Sequence, residues 1–410
     1  MLKLQTKKQV RYLSLLFALT YMVSYITRIN YGAVLTEMER ATQLPRQLLS
    51  MAVTGSFITY GAGQIVSGIC GDRFSPKKLV SLGLAVTVAM NCLIPLCQSP
   101  WQMLAVWCAN GFAQAFMWPP MVKMMTSLLS EEDYKTVSVR VSWGSSVGTI
   151  FVYLCAPAAI SLLGWKWVFW ICAAMGVGML LLWSSSPYQV PVQPRLKKAA
   201  GSAAAPRGKL FSPLLVGVMV AIVAQGMLRD GVTTWMPTYI CETFRLSSVI
   251  SILTGVVLPI FGMISFELAL LLYKKKFTNP LLCAGVLFGA GTLAALVLCC
   301  FPSGNAVTSV LFSALLTGCM HGVNLILICM VPPYFSRHGN VSTVSGVLNA
   351  CTYIGSACST YGIAALSQHA GWQTTLLVWF CIALCGSVIC LAFKKPWDRR
   401  FAAEKISDTA

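Results

Sequence analysis

The chain has 410 residues, 57% of them hydrophobic and only 10% charged, with a mean hydropathy of +0.72. A soluble domain carries roughly 25% charge, so a water-soluble globule is excluded and an all-α integral membrane protein is expected. The net charge of +18 comes from 30 Lys and Arg in short runs between apolar stretches, which is membrane topology and argues for no nucleic-acid partner.

A bilayer core takes about 20 apolar residues per helix. Twelve such stretches follow in chain order, at roughly 12–35, 48–70, 79–97, 101–123, 138–163, 165–186, 212–240, 246–272, 279–301, 306–330, 340–367 and 371–393. None shows the alternating pattern of a membrane barrel strand. The first follows Lys3, Lys7, Lys8 and Arg11, is too long for a signal-peptide core and lacks a cleavage site, so it reads as a retained helix. Residues 187–211, rich in Pro, Ala, Gly and Lys, have linker chemistry and separate six spans from six. The expected organisation is therefore a six-helix bundle over 1–186, a cytoplasmic linker over 187–211, and a second bundle with a short tail over 212–410. Met117-Trp118-Pro119-Pro120 recurs as Met330-Val331-Pro332-Pro333, the mark of two pseudo-symmetric halves. With the N-terminus inside, the inner segments hold 24 Lys and Arg and the outer loops 4, which places both termini in the cytoplasm of a cell inner (plasma) membrane. The 17 cysteines show no C-x-x-C spacing, so they read as packing thiols, and neither metal nor other cofactor is expected.

A charge at the bilayer centre costs on the order of 3 kcal/mol or more, so each one demands a reason. Arg28 and Arg229 lie at matching depths in the first and seventh spans, where they would face one another across a central cavity. Their forked donors suit a phosphate or carboxylate. The alternative is pairing with a buried acid, Arg28 with Glu267 or Arg229 with Asp230. The second pairing is disfavoured because adjacent helical residues project about 100° apart. Tyr21, Tyr25 and Arg28 share one helical face, and Tyr60 and Gln64 form a similar pair in the second span. His321 and Asn324 lie three apart in the tenth span, as packing residues or as substrate or proton contacts. Glu267 stands late in the eighth span, read as solvated ahead of proton-coupling. At the end of the second span, Gly68-x-x-x-Asp72-Arg73-x-x-x-Lys77-Lys78 combines a glycine for close helix approach with an acid that can sit against a neighbouring helix end and bond Arg73. That arrangement is expected to work as a gate clasp of Gly68, Asp72, Arg73 and Lys77.

This stretch resembles the signature loop of the major facilitator superfamily, which implies that fold and a monomer. Three segments are similar to the organophosphate:phosphate antiporters: Tyr25-Ile-Thr-Arg28-Ile-Asn30-Tyr31, Gln114-Ala-Phe-Met-Trp118-Pro119-Pro120 and Arg229-Asp-Gly-Val-Thr-Thr-Trp235-Met-Pro237-Thr238-Tyr239. The resemblance implies phosphate binding by Arg28 and Arg229, and an aromatic cavity of Tyr21, Tyr25, Tyr60, Trp118 and Tyr353. Two departures stand out: Gln64 replaces a family lysine and Ser145 a family histidine. Both lower the positive field, leaving room for a carboxylate or a less charged phosphoester.

The resulting expectation is a secondary transporter of a small organic anion by rocker-switch alternating access, exchanging it for a counter-anion such as phosphate. In that scheme the two arginines repel one another when empty, so the halves rock only when loaded. The alternative is a proton-coupled symporter of sugar acids, with Glu267, Asp230 or His321 as the proton site. A sensor on a transporter frame is disfavoured because the linker and tail are too short for a folded signalling domain. An enzyme is not expected, since no nucleophile–base pairing stands out, and no phosphate-binding G-x-x-x-x-G-K-[ST] loop supports ATP-driven transport.

Overall fold

The computed structural model describes residues 6–190, 212–245, 257–301, 304–338 and 340–406. Most of the expected linker and the start of the eighth span lie outside these residues. The described regular elements are helical: α1 (Lys7–Thr42), α2 (Arg46–Arg73), α3 (Pro76–Leu93), α4 (Pro100–Gln114), α5 (Trp118–Leu128), α6 (Glu131–Leu163) and α7 (Trp165–Ser185). Then come α8 (Pro213–Phe244), α9 (Val257–Lys275), α10 (Pro280–Cys300), α11 (Ala306–Asn324) and α12 (Val341–Ile406). Gly371 (φ 77°) interrupts α12, which therefore supplies two spans, a first arm before the glycine and a second after it.

Several of these helices start where the sequence puts a polar cap before a proline. Ser99, Ser212 and Asn279 each accept a backbone N–H from the following turn, and Pro100, Pro213 and Pro280 take the position that has no donor to lose. The fourth span breaks at residues 115–117, giving α4 and α5. Pro119 and Pro120 cannot donate to the carbonyls one turn back, so the helix reforms only from Trp118. The tenth span is disturbed before its own Pro-Pro pair, where Leu325–Met330 form a fully buried π-helix. The short sequence repeat thus coincides with a helix irregularity in each half.

Among the described residues nine stretches are long and apolar enough to cross a bilayer unaided. The expected second, fourth and eleventh spans are not among them. The fourth is divided by its break, and the other two are rich in Gly, Ser, Thr and Asn. Small residues serve in membranes because they let backbones touch, where larger apolar ones would meet lipid.

The chain separates into two compact units. Unit 1 is Met1–Val192 with Phe335–Ala350; unit 2 is Gln193–Tyr334 with Cys351–Ala410. In unit 1, α1 packs on α6 and α7, α2 on α4, and α3 on α7. Its buried cluster runs through Ile26, Tyr31, Met38, Leu49, Trp107 and Phe169. In unit 2, α11 packs on α8, α9 and α10.

Candidate functional site

In unit 1 the expected face of α1 assembles with partners from α2 and α5. The Arg28 guanidinium lies 4.1 Å from the Tyr25 ring centre and 4.6 Å from that of Tyr60, so two ring faces oppose the cation. Tyr21 continues the row, with its ring 5.1 Å from Tyr25 and 5.1 Å from Trp118. Arg28 is 8% exposed, and Tyr60 and Trp118 are buried. Trp118 reaches this row because it opens α5 just past the proline-induced break. One turn beyond Tyr60, Gln64 is fully buried, and neither of its amide atoms has a hydrogen-bond partner among the described residues. Ser145 on α6 is half-buried and donates 2.7 Å to its own helix at the Ser142 carbonyl.

Beneath the aromatic row lies a polar network that the sequence reading missed. Ser24 donates to Gln114 Oε1 (2.6 Å), and Gln114 Nε2 donates to Thr27 Oγ1 (2.9 Å). Asn91 and Asn110 both donate to the Thr27 carbonyl, and Asn30 donates to Asn91 Oδ1 (2.8 Å). All six side chains are buried. Hydrogen-bonded amides in a membrane interior hold helices in one register, and here they tie α1 to α3 and α4, fixing the face that carries Arg28. Asn110 and Gln114, one turn apart in an otherwise apolar span, were the available signal.

In unit 2, Arg229 corrects an expectation. Its Nε and Nη2 bind Asp230 Oδ1 and Oδ2 at 2.6 and 2.8 Å, a two-pronged ion pair with the residue whose adjacency was expected to disfavour it. Adjacent Cβ atoms do diverge, but the long arginine stem curls back over the short carboxylate. Repulsion between two arginines as the cause of obligatory exchange is weakened accordingly, since Arg229 holds its own counter-charge. The Ser356 hydroxyl also hydrogen-bonds the Asp230 carboxylate, and lies 2.9 Å from the Thr352 carbonyl. Glycines make this meeting of short side chains possible. A Cβ on Gly226 would clash with the Thr352 backbone, and one on Gly355 with that of Val223, so α8 and the first arm of α12 touch backbone to backbone.

His321, half-buried on α11, hydrogen-bonds the Thr317 carbonyl through Nδ1 (2.8 Å), packs its ring edge-to-face with Phe266, and interacts electrostatically with both Arg229 and Asp230. Asn324, half-buried, ends α11 where the π-helix begins, and Tyr353 is half-buried on the first arm of α12. Glu267 is exposed on α9.

The gate residues divide. Within unit 1, Asp72 accepts the backbone N–H groups of Ser342 (3.1 Å) and Thr343 (2.7 Å), the orphan donors at the start of α12. Its ionic partner is Lys123 at 3.4 Å, not Arg73, which lies a third of a turn round the helix and is exposed. Lys77 turns elsewhere, donating to the carbonyls of Ser184 (3.0 Å) and Ser186 at the end of α7. Gly68 permits the contact: a Cβ there would stand 2.7 Å from the Ser342 carbonyl oxygen. The contact with the start of α12 thus involves Gly68 and Asp72, with Lys123 beside the carboxylate, while Arg73 and Lys77, expected in the same clasp, are not part of it.

Comparison with known proteins agrees with this architecture. The chain is 22% identical, over 92% of its length and 89% of the relative's, to a probable hexose phosphate transport protein of Chlamydia muridarum. It is 28% identical to the membrane sensor protein UhpC of Salmonella typhimurium, in a match spanning 42% of this chain and 40% of that protein. It thus spans less than half the length of that sensor. Among solved structures, the proton:xylose symporter XylE superposes with a TM-score of 0.76 over 95% of this chain and 96% of that one, at 13% identity, a likeness of fold alone. The Major Facilitator Superfamily model matches residues 17–357, most of the chain from the first span through the eleventh, and with helices as the regular elements of both units, the protein belongs to that superfamily of membrane transporters.

Proposed function

We propose that the protein is a secondary transporter of a small singly or doubly charged organic anion, a phosphoester or sugar acid, working as a monomer by alternating access. The observation that carries this reading is the burial of Arg28 against two tyrosine rings. A guanidinium costs several kcal/mol to place in a membrane interior, and the rings offset part of that cost without neutralising its charge, which suits an anionic solute. Arg229 contributes the second anion contact, with Tyr21, Trp118, Gln64, Ser145, His321, Asn324 and Tyr353 as the further substrate-facing groups. The probable hexose phosphate transport protein supports the phosphoester class by similarity. Residues 187–211 link the two bundles, both termini face the cytoplasm, and the protein sits in the cell inner membrane.

Exchange against phosphate is the first mode. Proton-coupled symport is the second, and the carboxylate beside Arg229 favours it, because a titratable group next to the anion contact could couple a proton to the load. The test is flux into proteoliposomes for three probes: inorganic phosphate, a hexose 6-phosphate and a hexuronate. Saturable uptake of at least one is expected. Dependence on internal phosphate identifies exchange; collapse with a protonophore identifies symport. Saturable binding without flux would replace the carrier reading with the sensor one suggested by the UhpC likeness.

A further inference from the structure

We propose that Asp230 is a resident counter-anion: it fills the Arg229 fork until an incoming anion displaces it, and by remaining nearby it selects singly charged anions over doubly charged ones. The proposal rests on the carrier reading above and names the substrate class of that site.

The geometry supplies the competition. Asp230 engages Nε and Nη2, the side-on edge of Arg229 that a carboxylate or phosphate uses for a two-pronged bond. A ligand seeking that edge meets an occupant of its own chemistry. The pair is 17% and 31% exposed, so neither group is fully enclosed by its own unit. Displacement is affordable to Asp230 because it has a second donor. The Ser356 hydroxyl already lies on its carboxylate, so a carboxylate leaving Arg229 is not stranded without a hydrogen bond. Gly226 and Gly355 hold α8 and α12 close enough for that short serine to follow it.

Charge then decides the selectivity. Once displaced, Asp230 keeps its negative charge within a few ångströms of the bound anion, because it is the next residue on the same helix. A monoanion meets one repulsion of unit size and a dianion meets twice that, in a region where water screens poorly.

The experiment is binding to the full-length protein in phosphatidylcholine nanodiscs at pH 8, where a phosphate monoester is doubly charged. The probes are a hexuronate and the corresponding hexose 6-phosphate. The wild type is expected to bind the hexuronate at least tenfold more tightly. Asp230→Asn should erase that preference by tightening hexose 6-phosphate binding at least tenfold, and Asp230→Glu should retain the wild-type order. The double variant Arg229→Gln/Asp230→Asn should lose the gained affinity. A preference left unchanged in Asp230→Asn, or a weakening of both probes, overturns the assignment. Should the wild type bind neither probe while Asp230→Asn gains the hexose 6-phosphate, the carrier reading for these anions fails and the counter-anion stands. Binding to none of the variants overturns both. Where Asp230→Asn does not insert, the double variant carries no unmatched charge, and wild-type affinities in it overturn the assignment.

Discussion

The two intramembrane arginines occupy corresponding spans in different company. Arg28 in unit 1 lies against the rings of Tyr25 and Tyr60, in an aromatic row that extends through Tyr21 to Trp118. Arg229 in unit 2 holds the Asp230 carboxylate in a two-pronged pair, and the Ser356 hydroxyl hydrogen-bonds the same carboxylate. Both environments stabilise a cation away from bulk water, but in different ways. Ring faces are weak, non-titrating partners that leave the formal charge intact, whereas a carboxylate cancels it. The same residue type in corresponding spans therefore meets different company, and the proposed roles differ with it: affinity at Arg28, discrimination at Arg229.

Removing the fork from each arginine tests this inequality most severely. Arg28→Lys keeps the charge but loses the two-pronged geometry, and transport of a responsive probe should fall about 100-fold with normal membrane yield. Arg229→Lys should fall only about 10-fold, because its fork is shared with Asp230. Equal losses in proteoliposome flux would erase the distinction. Gly355→Ala acts next, since the added methyl must push α12 off the Val223 carbonyl. It should destabilise by about 1–3 kcal/mol, seen as a lower Tm, and weaken the Ser356–Asp230 contact with it. Tyr60→Ala removes one ring face from Arg28 and should cost about 1–2 kcal/mol of binding, whereas Tyr60→Phe should restore most of it. An equal loss in Tyr60→Phe would show that the hydroxyl, not the ring, is what matters. Gln64→Lys should have the smallest effect, about a few-fold shift toward doubly charged probes. Unchanged selectivity would mean that its field does not reach the anion.

Much of unit 1's site was legible in the chain. Tyr21, Tyr25 and Arg28 share a face by spacing alone, and a charge in an apolar span announces itself. The amide network of Asn30, Asn91, Asn110 and Gln114 was not legible, because polar residues on three separate helices acquire meaning only when those helices pack. Asp230 was misread for a related reason: helical projection angles describe Cβ directions, not the reach of an arginine stem. The pairing of Asp72 with Lys123 rather than Arg73 likewise depended on how α5 comes to lie beside α2.

The twelve apolar stretches, the proline-marked breaks in the fourth and tenth spans and the places of both arginines along their spans were set by composition and local backbone chemistry, which act within a helical turn or two. Which carboxylate answers which cation, and which helix end Asp72 meets, were settled only by tertiary packing. The reason is physical: electrostatic and hydrogen-bond partners in a membrane interior are chosen by distances of a few ångströms between residues up to about 270 positions apart, as with Asp72 and Ser342.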